Sequence, residues 1–207
     1  MLKTVLFAVV AWLAVQPALA FAADDAEARY QSLLAAAKAG APVNWQTLRF
    51  AYAERPSYVM DGDRDERAAM FKAINADDWT GALAAANRVL DKNYCSGLGH
   101  FGAAMADDKL GRAADSDREK QIARAIFASI KTGDGLSFEQ AFTVISVGEE
   151  YDTFTTLGID PGNQSLSKHD GHMYDVFVTK DEAGKPVTYY FNIDRVWAAE
   201  ARMMGGK

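Results

Sequence analysis

The chain has 207 residues, with 22 basic and 28 acidic side chains and a formal net charge of −6 at pH 7. An acidic chain without a cluster of Lys or Arg is a poor partner for nucleic acid or an anionic membrane, because both bind clustered cations. Hydrophobic residues make up 49% of the chain, and the single cysteine, Cys95, excludes an intramolecular disulfide. We therefore expect a core held by packing, with Cys95 buried in it.

The N-terminal segment has the pattern of a cleavable signal peptide. Lys3 supplies a positive charge, and an apolar run follows from Val5 to Val15. This run is shorter than the roughly 20 residues that a membrane-spanning helix needs. Ala18-Leu19-Ala20 is the small-x-small pattern that precedes a signal-peptidase site. We predict cleavage after Ala20, which leaves residues 21–207 as a single soluble domain in the periplasm or the medium.

Residues 24–140 have the pattern of a helical bundle, because apolar residues recur at helical spacing between capping or helix-breaking residues. The predicted helices are 24–38, 45–55, 64–75, 78–90, 97–110 and 116–130. We place Phe71 and Trp79 on the buried faces of the third and fourth helices. The sixth helix is predicted to begin at a capping box, in which Ser116 bonds the third amide and Glu119 reaches back.

The fourth and fifth helices resemble one tetratricopeptide unit. The interval from Asp77 to Gly111 is 34 residues, which is the period of that repeat. The pattern does not recur clearly elsewhere, and a helical hairpin with small residues at the helix crossing produces the same pattern. We predict tetratricopeptide-like hairpins, and the choice between a true repeat and a simple hairpin stays open.

Residues 141–207 are predicted to form a mixed α/β part. Two segments rich in β-branched and aromatic residues flank a turn-rich loop, which predicts an antiparallel hairpin. The predicted strands are His172–Thr179 and Val187–Ile193. Phe142–Val147 is either a further strand or an extension of the helical turn before it. A last helix from Asp194 is expected to bury Val196 and Trp197. The predicted fold class is α+β, with an N-terminal helical bundle packed on a small antiparallel or mixed sheet.

Two motifs match ligand-binding patterns in their letters only. Gly97–Gly102 is a G-x-G-x-x-G sequence, but the segment before it, Ala82–Leu90, is helical, whereas the dinucleotide site needs a strand there. Asp61–Asp65 has the alternating acids of a calcium loop, but the sixth and twelfth positions are Glu66 and Lys72. We expect no cofactor, close helix packing at the glycines, and a solvated turn at the acids.

A metal site is the one chemical site that the sequence offers. His169 and His172 flank an Asp-Gly turn, and two imidazoles three residues apart can converge on a transition metal. The candidate third ligand is Asp175 or a glutamate, in particular Glu149, since a strand–helix–strand unit returns the chain to the same sheet. Two histidines without a third ligand at fixed spacing also suit a polar loop, and nothing in the sequence brings His100 to the others.

An ordered series of short motifs resembles the bacterial DUF4919 family, from Asn93 onward. The motifs are Asn93-Tyr94, His100, Ser129-Ile130 with Gly133-Asp134-Gly135, Ala141-Phe142 with Val144-Ile145-Ser146, Glu149-Glu150-Tyr151, Leu157-Gly158, Gln164-Ser165-Leu166, Tyr174-Asp175 and Tyr189–Ile193. The resemblance implies an exported bacterial protein of unknown function and assigns no catalytic residue.

Two hypotheses on function follow from these patterns. The first is a non-enzymatic periplasmic module that contacts another protein, because helical hairpins are present and no convincing catalytic set is found. The alternative is a metal-binding protein or a metal-dependent hydrolase that uses His169 and His172. The two hypotheses differ in whether His169, His172, Glu149 and His100 converge in one cleft.

Overall fold

The computed structural model describes residues 16–181 and 183–205, and these residues form an α+β fold. In chain order the elements are α1 (Gln16–Lys38), α2 (Trp45–Glu54), α3 (Arg64–Asn75), α4 (Trp79–Lys92), α5 (Gly97–Lys109), α6 (Ala113–Ile130), β1 (Phe142–Thr143), α7 (Val147–Leu157), β2 (Asn163–His169), β3 (His172–Lys180), β4 (Pro186–Asn192) and α8 (Asp194–Gly205). The helical N-terminal part and the small C-terminal sheet confirm the predicted class.

The N-terminal signal pattern is only partly within this description. Lys3 and the apolar run Val5–Val15 lie outside the described residues. Helix α1 starts at Gln16, before the predicted start at Asp24, and its backbone includes Ala20. Cleavage after Ala20 therefore stays a prediction. Among the helices of the described ranges, none combines the length and the apolar character needed to cross a bilayer.

The glycines of α5 allow neighbouring helices to approach closely, as predicted. A Cβ on Gly99 would lie 2.7 Å from Val89 Cγ1 of α4, and a Cβ on Gly97 would lie 2.7 Å from Phe127 Cζ of α6. A Cβ on Gly102 would overlap Met70 of α3. Real side chains essentially never pack at such distances, so α5 occupies the centre of the bundle because it has no side chain at these positions. The tetratricopeptide detail stays a prediction.

The predicted capping box at the start of the sixth helix is wrong. Helix α6 begins at Ala113, so Ser116 lies inside the helix, where its hydroxyl donates to the Ala104 carbonyl oxygen of α5 at 2.8 Å. The Glu119 carboxylate lies 2.5 Å from His100 Nδ1 instead of reaching back to its own helix. Both polar groups are buried and bond across the α5–α6 contact, because a buried polar group needs a partner.

Three predicted buried aromatic residues are exposed or half-buried. Helix α3 has the predicted bounds, but Met70 is its buried residue and Phe71 is 37% exposed. Trp79 is half-buried, with Lys109 Nζ 5.6 Å from its ring centroid, and Trp197 is 48% exposed. Small residues, chiefly the alanines of α4 and α5, fill the helix crossings in their place.

The sheet is mixed and has the strand order β1-β4-β3-β2. The predicted hairpin is confirmed, since β3 and β4 pair antiparallel with Phe177 opposite Tyr189. Strand β2 was not predicted, because Asn163–His169 is polar and its Leu166 is 55% exposed at the sheet edge. The predicted strand Phe142–Val147 is reduced to the two residues of β1, which pair parallel with β4, because α7 already begins at Val147.

Helix α7 lies between the two largest parts of the hydrophobic core. The sheet part packs four fully buried phenylalanine rings, at centroid distances from 4.9 to 5.5 Å along the series Phe142, Phe191, Phe177 and Phe154. The helical part surrounds Leu48 and Tyr52 of α2 and includes Cys95, which is 1% exposed as predicted. The N-terminal turn of α7 therefore faces the seam between sheet and bundle, where several acidic residues are buried.

Candidate functional site

The two candidate metal ligands of the β2–β3 hairpin are engaged separately. His169 and His172 are cross-strand partners on either side of a turn in which Asp170 and Gly171 have φ values of 47° and 86°. The His169 ring stacks on Phe138 at a centroid distance of 4.2 Å, whereas His172 Nδ1 lies 2.6 Å from Asp194 Oδ2. Across residues 16–181 and 183–205, no group of three or more His, Cys, Asp or Glu side chains is arranged to hold a metal ion.

His100 is fully buried between α5 and α6, and its hydrogen-bond partners lie outside that hairpin. Its Nε2 lies 2.9 Å from the Tyr94 carbonyl oxygen and its Nδ1 2.5 Å from Glu119 Oε2. Each ring nitrogen therefore faces an oxygen that can accept a hydrogen bond. Burial raises the pKa of Glu119, but the hydrogen bond and charge of His100, together with Arg118, outweigh burial and lower it. The pair is closed to ligands and joins two helices.

Glu149, the third candidate ligand, forms a buried ion pair with Arg49 of α2. Arg49 Nε donates to Oε1 at 2.9 Å and Nη2 to Oε2 at 2.5 Å. The remaining guanidinium hydrogens bond the Thr143 carbonyl oxygen and both the carbonyl and hydroxyl oxygens of Ser129. The Ile145 amide also donates to Glu149 Oε2. Because every donor of the guanidinium is used, the pair connects α2, α6, β1 and α7 and leaves no position for a metal.

A second buried cluster surrounds Arg67 of α3. Its Nη1 contacts both oxygens of Asp152, at 3.1 and 3.0 Å, and Asp61 and Asp63 lie 3.5 and 3.7 Å from its other nitrogens. Burial is the main cause that raises the pKa of Asp152 to about 7, against the opposing charge of Arg67. The expected solvated turn at Asp61–Asp65 is wrong for Asp63, which is 4% exposed, whereas Gly62, Arg64 and Asp65 are exposed.

Asp61, Arg67 and Asp152 of this cluster line an open pocket of about 350 Å³, and the cluster also borders a much smaller cavity. Its volume is about 20 Å³, and Asp63, Asp152 and Glu149 contribute to its wall. Asp63 Oδ2 is buried and has no hydrogen-bond partner among the described residues. A volume of this size holds about one water molecule, which is too little for an organic substrate.

Glu150 is the most strongly perturbed carboxyl group of the site. The side chain is fully buried, and neither oxygen has a hydrogen-bond partner in the described part of the chain. Burial first, and then the negative charges of Asp175, Asp61 and Glu149, raise the pKa of Glu150 to about 9. A carboxyl group with such a pKa can act as an acid, but it needs contact with a substrate to do so. Glu150 is inaccessible in the folded protein, so its titration affects the stability of the fold and not a substrate.

An open groove of about 710 Å³ lies between α5, α6 and the end of α7. Its floor is apolar and includes Leu98 and Phe101 of α5 and Phe127 of α6. Phe101 is 47% exposed, and Phe127 covers Gly97, where a side chain would displace it. The remaining wall residues are Lys120, Ala123, Arg124, Ala128, Lys131, Thr155 and Thr156. The groove is large enough for several side chains of a ligand, unlike the cavity of about 20 Å³ at the Arg67 cluster.

The charged side chains around this groove are all cationic. Lys120 Nζ lies 3.8 Å from Asp108 Oδ1, whereas Arg124 and Lys131 form no salt bridge with any residue that the structure describes. The Thr155 and Thr156 hydroxyls donate to backbone carbonyl oxygens of their own helix. The groove thus has an apolar floor and a positive rim on a molecule whose net charge is −6.

Sequence analysis missed both the buried arginines and the groove. Arg49 and Arg67 lie in helices whose other residues match an ordinary amphipathic pattern, and the acidic partners with the shortest contacts, Glu149 and Asp152, are 100 and 85 residues away in the chain. The groove has a local signal, since Lys120, Arg124 and Phe127 of α6 and the C-cap residue Lys131 recur at spacings of three or four residues. The net charge of the whole chain is negative and does not reveal this positive stripe.

Comparison with known proteins gives one result on identity. The family model described as "Domain of unknown function (DUF4919)" matches residues 43–202, from the residue before the α2 cap to α8. The match includes both buried clusters and the groove and leaves α1 outside. No curated protein and no solved structure matches the chain.

Proposed function

The chain belongs to the DUF4919 family, and we propose that it is a non-enzymatic module of the bacterial periplasm that docks another protein in the α5–α6–α7 groove. The observation that carries the proposal is the half-exposed Phe101 on an apolar floor with a cationic rim. An apolar patch rimmed by polar residues is typical of an interaction site.

The buried groups support a binding role over a catalytic one. Glu150 and His100 have the chemistry of acids and bases, but both are fully buried and cannot reach a substrate. Asp152 lines an open pocket of about 350 Å³, but both of its oxygens are paired with Arg67. The alternative, a metal-dependent role for His169 and His172, gains no support, because the two rings contact Phe138 and Asp194.

Export is the part of the proposal that rests on the N-terminal sequence. The apolar run Val5–Val15 and the small residues Ala18 and Ala20 support cleavage by signal peptidase. We expect the intact mass of the protein isolated from its native cell to correspond to a chain that begins at Phe21. A mass that retains residues 1–20 would contradict the export.

The docking site can be tested by photo-crosslinking in the native cell. A photo-reactive residue in place of Ala128, which is exposed in the groove, is expected to give a discrete adduct with one protein identified by mass spectrometry. The same residue in place of Ala198, exposed on α8, is the matched control and is expected to give none.

The dependence of the adduct on the groove decides the test. Phe101→Asp places a carboxylate on the apolar floor, so it is expected to remove the adduct at position 128. An adduct that persists in this variant, or that forms equally at position 198, would contradict docking in the groove. No adduct at position 128 in the otherwise unchanged protein would contradict it as well.

A further inference from the structure

We infer that the occupant of the groove is an amphipathic helix of a partner protein whose polar face is acidic. This inference rests on the proposed function and adds the charge and the secondary structure of the docked segment. The floor, the rim and the surrounding elements each contribute an independent argument.

The spacing of the rim cations matches a helix. Lys120 and Arg124 lie on one face of α6 four residues apart, and Lys131, the C-cap residue, follows seven residues later. With a rise of 1.5 Å per residue, these intervals correspond to about 6 Å and about 10.5 Å along the helix axis. Carboxylates at one-turn and two-turn intervals on a neighbouring helix fall at the same separations, so one helix can address all three cations.

The walls of the groove also favour a helix over an extended segment. Helices α5 and α6 are joined by the three residues 110–112 and pack side by side, and α7 closes one end. A groove between two packed helices accepts the ridge of a third helix. An extended peptide instead needs a free strand edge to bond its backbone, and the groove lining consists of helical residues apart from Lys131, the C-cap residue of α6.

The charge distribution selects an acidic partner. The lining contains three cations and no carboxylate, and Arg124 and Lys131 have no salt-bridge partner in residues 16–181 and 183–205. A basic helix would leave these charges opposed, whereas glutamates on the partner would pair with them at the rim of a largely apolar contact. Such rim charges contribute chiefly to specificity and to the rate of association.

Two designed peptides of 18 residues test this chemistry. Both carry leucines at helical spacing, and their polar faces carry glutamates in one peptide and lysines in the other. Fluorescence anisotropy with the purified protein is expected to detect the glutamate peptide alone, with affinity that falls as salt rises. Charge reversal by Arg124→Glu with Lys131→Glu is expected to weaken this peptide by about tenfold or more and to favour the lysine peptide.

Matched controls separate the groove from the overall charge. Lys72→Glu with Arg88→Glu changes the net charge equally at exposed positions of α3 and α4 and is expected to leave the affinity for the glutamate peptide unchanged. Equal effects of both charge reversals would overturn the inference, because the attraction would then be non-specific. Equal binding of the two peptides would overturn it too.

The remaining outcomes distinguish this inference from the proposed function. If neither peptide binds while the adduct at position 128 persists and depends on Phe101, the groove docks a protein of other chemistry and only the inference fails. If oleate or vesicles of phosphatidylglycerol bind at the groove while the glutamate peptide does not, the occupant is an anionic lipid and the inference is overturned.

Discussion

Charged side chains are paired in the seam between sheet and bundle at α7, which contains the Arg49 and Arg67 clusters. In the α5–α6–α7 groove, charged side chains are left largely unpaired. In the seam, Arg49 and Arg67 are almost completely surrounded by carboxylates and backbone oxygens. In the groove, Arg124 and Lys131 lie beside apolar side chains and have no salt-bridge partner among the described residues. Buried charges must be paired, whereas charges at the surface are solvated and can stay unpaired until a ligand arrives.

This difference separates stability from binding. Substitutions in the seam are expected to change the free energy of unfolding, because they leave buried charges or polar groups without partners. Substitutions in the groove are expected to change binding and to leave stability almost unaffected. The most perturbed pKa values are therefore found where the fold is held together rather than where a ligand is expected.

The largest expected effect is that of Arg49→Met. The substitution leaves the buried Glu149 carboxylate without its cation, which typically costs about 3–5 kcal/mol. Urea unfolding monitored by circular dichroism measures the loss. Arg88→Met, at an exposed position of α4, is the control and is expected to change stability by less than about 0.5 kcal/mol.

A double variant sharpens the same prediction. Glu149→Gln added to Arg49→Met removes the unpaired charge and keeps an acceptor for the Ile145 amide. We expect it to recover part of the lost stability. Similar unfolding free energies for Arg49→Met and the unchanged protein would show that the ion pair does not hold the seam.

Next in size is the pH dependence that Glu150 confers. Its pKa is about 9 in the folded protein, against 4.5 for an unperturbed glutamate, so the unfolded chain loses the proton first. The contribution of Glu150 to the free energy of unfolding is therefore fully present below about pH 4.5. It is lost as the pH rises to 9, by at most about 1.4 kcal/mol per pH unit. Glu150→Gln removes this contribution.

Unfolding experiments between pH 5 and pH 8 test this dependence. The stability of Glu150→Gln relative to the unchanged protein is expected to rise steadily over this range. Asp152, with its pKa raised to about 7, adds a decline of the same sign that both proteins share. Glu139→Gln, at an exposed position, is the control. A difference that stays constant with pH would refute a raised pKa at Glu150.

A smaller loss is expected for His100→Leu. The substitution leaves Glu119 and the Tyr94 carbonyl oxygen without their buried donor, which costs about 1–3 kcal/mol. Thermal unfolding measures the change. His100→Leu with Glu119→Leu is expected to restore part of the stability. A double variant that loses more stability than the two single variants lose together would contradict the pairing.

The smallest effect on stability is expected in the groove. Arg124→Glu with Lys131→Glu removes no salt bridge that the structure describes, so the unfolding free energy should change by less than about 0.5 kcal/mol. The same variant is expected to lose the glutamate peptide. A large loss of stability would mean that these cations support the fold, and the comparison between seam and groove would then fail.

The sequence was sufficient for the elements whose signals are local. The glycines of α5 allow close packing, and the hairpin of β3 and β4 forms, both as predicted. Strand β2 was missed because an edge strand needs few apolar residues. The capping box at Ser116 was wrong because its two polar side chains have better partners on α5.

Residue patterns by themselves determined the α+β class, the family and the burial of Cys95, because periodicity, motif order and hydrophobicity are properties of neighbouring residues. Tertiary structure decided the role of each charged side chain. Glu149 was a candidate ligand until Arg49, 100 residues earlier in the chain, proved to be its partner. Likewise, the cations of α6 form the rim of a groove only because α5 and α7 pack beside them. Whether a charge is paired depends on distance in space, and a linear sequence does not contain that distance.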